Sequence, residues 1–323
     1  MIPPVVLAPL AGGPSTPELA AAVADAGGLG FVAAGYLQPA ELAARLDRAR
    51  ELTDGPLGVN LFVLSQRPID EAAVDAYARR LEAEGHVVGV PRFDDDQFAE
   101  KLAVAIAAGV DVISTTFGAP PKELIAAAAD AGIAVWATVA DLDDAERAVT
   151  AGADVLVAQG SEAGGHRASF DDADGRDVPL LELLAELRAS FDQPLVATGG
   201  ISDHDAVAAA RAAGAVAVQC GTAFLLCPEA GTSAPHRAAV EHGGPTAITR
   251  AFTGRRARGI VNGFMREHPD APSAYPHIHY VTAPLRAAAR EAGDAELINL
   301  WAGTRSDLAR ARPAADVVAE LRP

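Results

Sequence analysis

The sequence predicts an α/β chain folded as a (β/α)8 TIM barrel, with a helical segment inserted after the third strand and a helical lid or subdomain after the eighth. Three observations carry this expectation. Eight short apolar runs rich in Val, Leu and Ile recur along the chain, Ala-rich stretches of helical spacing separate them, and a Gly closes most of those stretches before the next run. Near-continuous apolar runs imply strands buried on both faces, as in a parallel sheet covered by helices.

In chain order the strands begin at Val5-Val6-Leu7, Gly30-Phe31-Val32, Leu57-Gly58-Val59, Val110-Asp111-Val112-Ile113, Ala134-Val135-Trp136, Val155-Leu156-Val157, Leu195-Val196-Ala197 and Val216-Ala217-Val218. The first helix has a start signal at Ser15-Thr16-Pro17-Glu18, a capping hydroxyl followed by Pro and an acid, and a stop at Ala26-Gly27-Gly28. Gly109, Gly132, Gly152 and Gly214 repeat the stop, because Gly takes the left-handed conformation that ends a helix. An open doubly wound sheet would put a GxGxxG loop after the first strand, and Ala11-Gly12-Gly13-Pro14 does not fit it. The barrel is expected to span residues 1–226. Its insertion, residues 63–109, holds helical pattern at Ile69 to Glu84 and Gln97 to Ala108. Residues 227–323 show helical pattern near Ala234 to His242, Pro284 to Ala292 and Ala314 to Leu321, read as a segment packed on the barrel mouth.

Composition narrows the function classes. A net charge of −17 argues against nucleic-acid binding, which rests on clustered Lys and Arg. The acidic run Asp94-Asp95-Asp96 reads as a solvated loop or helix start. Two cysteines, Cys220 and Cys227, suit a reducing compartment, and neither a leader nor an apolar run of membrane-spanning length is visible, so a cytoplasmic location is expected.

In a barrel the chemistry gathers at the C-terminal ends of the strands. The seventh ends in Thr198-Gly199-Gly200-Ile201 and the eighth in Gln219-Cys220-Gly221-Thr222. Glycine backbone there can close on a phosphate, the standard phosphate position of this fold. The sixth runs through Gln159-Gly160 into Ser161-Glu162-Ala163-Gly164-Gly165-His166. Gln159 can hydrogen-bond the edge of a heterocycle, Gly164 and Gly165 allow backbone to lie close to a flat ring, and His166 hangs over that ring. An imidazole so placed serves as a general base. Ala8-Pro9-Leu10, Asn60 and Thr138 lie at other strand ends. His86, His204, His236, His242 and His268 read as surface or core residues. His277 and His279 lack an obvious third metal ligand and read as loop packing or pocket lining.

These segments resemble the nitronate monooxygenase family. The resemblance runs through Ala8 to Gly13, Ala26 to Gly30, Val59 to Phe62, Ala158 to His166, Gly199 to Ile201 and Gln219 to Leu225. It continues at Gly254 to Gly259 and Asn299 to Gly303. It implies FMN as cofactor, held by Asn60, Gln159, Gly164, Gly200 and Gln219-Cys220-Gly221-Thr222, with His166 as base. With the strand-end readings the expected cofactor set also takes in Ala8, Pro9, Leu10, Thr138, Gly160, Gly165 and Gly199. The implied reaction is oxidation of an alkyl nitronate, or its parent nitroalkane, by O2 to a carbonyl compound and nitrite. Two departures touch the substrate side: Trp301-Ala302-Gly303 is followed by Thr304-Arg305, and the fourth strand ends Ser114-Thr115-Thr116-Phe117-Gly118. Two other readings stay open, a flavin-dependent NAD(P)H reductase of quinones or enoyl-acyl carriers and a non-catalytic binder of flavin or another phosphorylated ligand. No metal, nucleic-acid or membrane partner is expected, and a homodimer is left open.

Overall fold

The computed structural model describes residues 1–172 and 176–322. Its strands are β1 (Val5–Leu7), β2 (Gly30–Ala33), β3 (Leu57–Phe62), β4 (Val112–Thr116), β5 (Ala134–Val139), β6 (Val155–Gln159), β7 (Gly165–His166), β8 (Leu195–Thr198), β9 (Ala217–Cys220), β10 (Thr246–Thr249) and β11 (Ala257–Ile260). Eight of them form one sheet in the order β1-β9-β8-β6-β5-β4-β3-β2, every pair parallel. A parallel bridge from Val6 to Leu29 joins the two ends, with Leu7 N donating to Leu29 O at 2.9 Å and Leu29 N to Val5 O at 3.0 Å. The chain is thus a (β/α)8 barrel. Its strands match the eight apolar runs, except that the fourth and eighth start slightly later, at Val112 and Ala217.

The wall is α1 (Pro17–Asp25), α2 (Pro39–Leu52), α4 (Phe98–Ala107), α5 (Lys122–Ala131), α6 (Leu142–Ala151), α7 (Leu180–Ser190) and α8 (His204–Ala212), with α3 (Glu71–Ala83) standing outside it. Thr16 caps α1 through Leu19 N, and Gly132 and Gly152 end α5 and α6 in the left-handed conformation. The expected insertion of 63–109 therefore divides. Helix α4 packs on α2, α5 and β3 as an ordinary barrel helix. Helix α3 instead joins a second core, where Val74, Tyr77 and Leu81 meet Phe252, Phe264, Ile278 and Val281.

After the barrel come α9 (Ala234–His242), α10 (Gly263–Glu267), α11 (His277–Ala292) and α12 (Ala314–Glu320). The purely helical expectation for residues 227–323 needs correction in two ways. Strands β10 and β11 form an antiparallel sheet that captures β7 from the barrel's own sixth loop. Helix α12 does not cover the mouth but returns to pack on α1, burying Ala314, Val317 and Val318 in the main core. Strands of four residues, such as Thr246–Thr249, are too short to show alternation against a background of Thr, Arg and Gly.

Candidate active site

Side-chain alternation along the strands builds the site. Phe31, Val112, Trp136, Val157, Val196 and Ala217 form an apolar cluster. Two residues further along their strands, the same interior face carries Ser114, Thr138, Gln159, Thr198 and Gln219, all buried and polar, with Asn60 beside them on β3. Above them opens a cavity of about 500 Å³, within the range of small-molecule and cofactor sites. Ala8, Pro9, Leu10, Asn60, Thr138, Gln159, Gly164, Gly165, His166, Gly199, Gly200, Gln219, Cys220, Gly221 and Thr222 all line it. Of the expected cofactor set only Gly160 does not. It stands behind the wall, where an added Cβ would lie 2.4 Å from Glu162 Oε2 and 2.5 Å from Leu180 Cβ. Its glycine is required by packing.

Hydrogen bonds leave two amides with complementary free groups. Asn60 Nδ2 donates to Ser114 Oγ and Thr116 Oγ1, each at 2.9 Å, so Asn60 presents its carbonyl as an acceptor. Gln159 Oε1 accepts from Arg167 Nη1 and Ala168 N, both at 2.9 Å, and its Nε2 donates to His166 O at 3.0 Å. One Gln159 N–H remains. Arg167, buried at 1% exposure, also donates to Gly160 O at 2.7 Å and so locks the loop that carries His166.

Glycine forms the opposite rim. Gly199 and Gly200 have φ of 114° and 69°, a conformation that side chains disfavour. Gly221 precedes the single helical turn Thr222–Phe224, whose start no side chain caps.

His166 lies on β7, paired with Ala257 of β11, so the C-terminal segment fixes its backbone. Its Nε2 is 2.9 Å from Thr253 Oγ1. The rings of Phe117, Tyr275 and Trp301 surround it at 5.8, 5.6 and 5.5 Å. Burial, helped by the positive charges of Arg255 and Arg286, pushes its pKa down to about 3. The imidazole is therefore neutral across the physiological range, with a free lone pair but a weakened hold on a proton.

Several cavity residues escape sequence reasoning. Tyr36 stacks on His279 with ring centres 4.2 Å apart, and its hydroxyl is 3.1 Å from that of Tyr275. Tyr36 and Phe117 hold φ of 68° and 76°, a strained conformation that bulky residues keep mainly at functional sites, at about 1–3 kcal/mol each. His236, read as surface or core, lines the cavity and bonds Trp301 O at 3.0 Å. His279, read as loop packing or pocket lining, does line it, whereas His277 does not. Arg286 joins them from α11. The C-terminal motifs at Gly254 and Asn299 were the available signal for this wall, without side-chain roles. Among the described residues, no group of three or more His, Cys, Asp or Glu is placed to hold a metal ion, and no helix is long and apolar enough to cross a membrane.

Known proteins share this architecture. A solved structure of nitroalkane oxidase from Streptomyces ansochromogenes is 44% identical, with a TM-score of 0.94 over 98% of this chain and 94% of its own. FabK from Thermotoga maritima is more distant, 27% identical with a TM-score of 0.78 over 98% of this chain and 91% of its own. A probable nitronate monooxygenase of Staphylococcus aureus (strain Newman) is 35% identical over 98% of this chain and 93% of its own length. The family model for nitronate monooxygenase matches residues 1–323, so this chain belongs to the nitronate monooxygenase family and is an oxidoreductase enzyme.

Proposed function

We propose that the protein is an FMN-dependent oxidase of alkyl nitronates, acting also on nitroalkanes, that uses O2 and yields a carbonyl compound and nitrite. The observation that carries this reading is a neutral, half-buried His166 facing the same cavity as an amide acceptor, an amide donor and a glycine cradle. An isoalloxazine edge offers one N–H between two carbonyls, which the Asn60 carbonyl and the free Gln159 N–H complement. At the other end, Gly199, Gly200 and Gly221 line the cavity without side chains of their own, so their backbone can approach a phosphate. FMN, when bound, supplies the electron acceptor and the route to oxygen.

The chain's own residues do the rest. His166 takes the α-proton of a nitroalkane, or orients a nitronate that arrives already ionised. Thr253 holds the imidazole, and Phe117, Tyr275 and Trp301 exclude water around it. The depressed pKa of His166 makes it a modest base, so nitronates are the better substrates.

The visible spectrum of the purified protein, followed by nitrite release on aerobic mixing with a panel of nitronates, tests the proposal. A flavin spectrum and nitrite are expected. A colourless protein that cannot be reconstituted with FMN would sink it. The likeness to FabK keeps one other reading in view. Bleaching of the flavin by NADH or NADPH, with no nitrite from any nitronate, would favour a reductase.

A further inference from the structure

Charge is distributed over the cavity against the trend of the chain. The sequence has 43 acidic residues against 26 Lys and Arg. Yet Arg286, Arg290 and Arg305 line the cavity and, among the described residues, no Asp or Glu does. The three arginines differ. Arg305 has its own anion, Asp203 Oδ2 at 2.8 Å, and Arg290 is exposed to water. Arg286 has neither compensation. It is 7% exposed, and among the described residues no carboxylate lies within ion-pair distance of it.

Every group that Arg286 touches is neutral. Its Nε donates to Thr282 Oγ1 at 3.0 Å, Nη1 to Asn299 Oδ1 at 3.3 Å, and Nη2 to His279 O at 2.9 Å and His279 Nδ1 at 3.3 Å. A guanidinium can only donate, so His279 Nδ1 carries the lone pair and its proton sits on Nε2. Burial and the Arg286 charge hold His279 far below the usual imidazole range. Burial raises the phenol of Tyr36 to about 12 and that of Tyr275 well above its ordinary value, so neither supplies a negative charge. A buried cation without a counter-charge is among the costliest arrangements a fold can hold.

Its position narrows the ligand. The charge on Arg286 reaches His166, whose pKa it lowers. The glycine rim instead adjoins the Thr304-Arg305 segment, with a Cβ on Gly200 3.7 Å from Thr304 Oγ1. A phosphate at that rim would leave Arg286 to the other ligand.

We propose that Arg286 is the counter-ion of the substrate, its charge and the one Nη1–H it has left serving the nitro oxygens and so making the site select nitronate anions over neutral nitroalkanes. This deepens, and rests on, the reading of the substrate given above. A nitronate spreads its negative charge over two oxygens on one nitrogen, and a guanidinium N–H gives such an oxygen a charge-assisted hydrogen bond. With a neutral nitroalkane the same contact stabilises the product of ionisation. The α C–H bond breaks, the proton passes to a nitrogen of His166, and the electron pair moves into a C=N bond, placing the negative charge on the oxygens beside Arg286.

The test uses the FMN-loaded protein with nitrate, a planar anion that carries the same pair of oxygens, titrated by calorimetry. In parallel, kcat/KM is measured for a nitronate and its parent nitroalkane. Arg286→Met should weaken nitrate binding by about tenfold or more and cut the nitronate-to-nitroalkane ratio of kcat/KM by about 10²-fold. Arg286→Lys should fall between, since it keeps the charge and loses the planar guanidinium that Thr282, Asn299 and His279 hold in place. Thermal stability of Arg286→Met without ligand should hold or rise, because an unpaired buried charge has been removed. Unchanged nitrate affinity and an unchanged ratio would overturn the proposal. So would a lowered Tm with equal loss on both substrates, which marks a structural arginine. If Arg286→Met does not fold, an unchanged ratio in Arg286→Lys overturns it alone. Nitrate binding that depends on Arg286, in a protein that releases no nitrite from any nitronate, leaves the anion site standing and rejects the substrate reading.

Discussion

The two walls of the cavity are built in opposite ways. The rim at the ends of β6, β8 and β9 is backbone: Gly164, Gly199, Gly200 and Gly221 within short continuous segments of the barrel. The facing wall is side chain: Tyr36, Thr253, His279, Arg286 and Trp301, drawn from the second loop and the C-terminal segment. Open backbone suits a ligand that is the same at every turnover, because it grips phosphate and ring edges without regard to the rest. A wall of aromatic rings and one unpaired cation suits a ligand to be discriminated. His166 joins the two, hanging from the barrel's sixth loop while its strand pairs with β11. Substitutions in the glycine rim should therefore change cofactor retention, and substitutions across from it should change substrate preference.

The largest effect is expected at the junction. His166→Asn keeps a polar group of similar size but cannot take a proton at neutral pH. Turnover of a neutral nitroalkane should fall about 10²–10⁴-fold, the usual worth of a general base. Nitronate turnover should fall far less, with FMN retained. Steady-state nitrite release on the two substrates measures both, and equal losses would remove His166 from the proton-transfer role.

A smaller and different effect is expected at the rim. Gly200→Val forces a β-branched residue to φ of 69° and puts its Cβ 3.0 Å from Glu162 Cβ. The strain is about 1–3 kcal/mol, and the crowding against Glu162 shifts the backbone of the rim. FMN affinity should weaken about tenfold or more, read by fluorimetric titration. Once saturated with FMN, the variant should keep the nitronate-to-nitroalkane ratio of the parent. A changed ratio would show that the two walls are not separable.

The same contrast explains what the sequence made legible. The barrel was readable because each βα unit carries its own signals, such as Thr16-Pro17 at the start of α1 and Gly132 at the end of α5. The glycine rim was readable because its residues lie just past the ends of strands, where glycine has few reasons to recur. Gly160 shows the limit, since a glycine demanded by Leu180 looks in sequence like one demanded by a ligand. The far wall was readable only in part: Trp301 lay in a motif and His279 read as loop packing or pocket lining, whereas Tyr36 and Arg286 come from distant positions and meet only in the fold. No local pattern distinguishes Arg286 from Arg290, one turn on, although one is buried and the other exposed. Nor does one mark His236, whose burial depends on Trp301.

The smallest expected effect separates the walls by titration. Burial holds His166 at the junction at about 3 and His236 on the far wall at about 4, against about 6.5 for an unfolded histidine. On the rim the titratable Cys220 is pushed up to about 12 and stays silent below neutrality. Between pH 6.5 and 4 the unfolded chain binds protons at these histidines that the folded chain refuses. Stability therefore falls as pH drops through that window. Asp144, which burial raises to about 6, acts in the opposite sense, favouring the fold at low pH and losing that contribution as pH rises towards its folded value. The raw Tm profile thus mixes the two, and a difference between variants isolates the histidine. His236→Gln keeps a donor for Trp301 O and cannot titrate, so its Tm should fall less than that of the parent between pH 6.5 and 4. The profile of Gly200→Val should run parallel to the parent's, displaced by a constant amount. Parallel profiles for His236→Gln and the parent would mean that His236 accepts its proton in the folded state, and that the far wall is wetter than its burial implies.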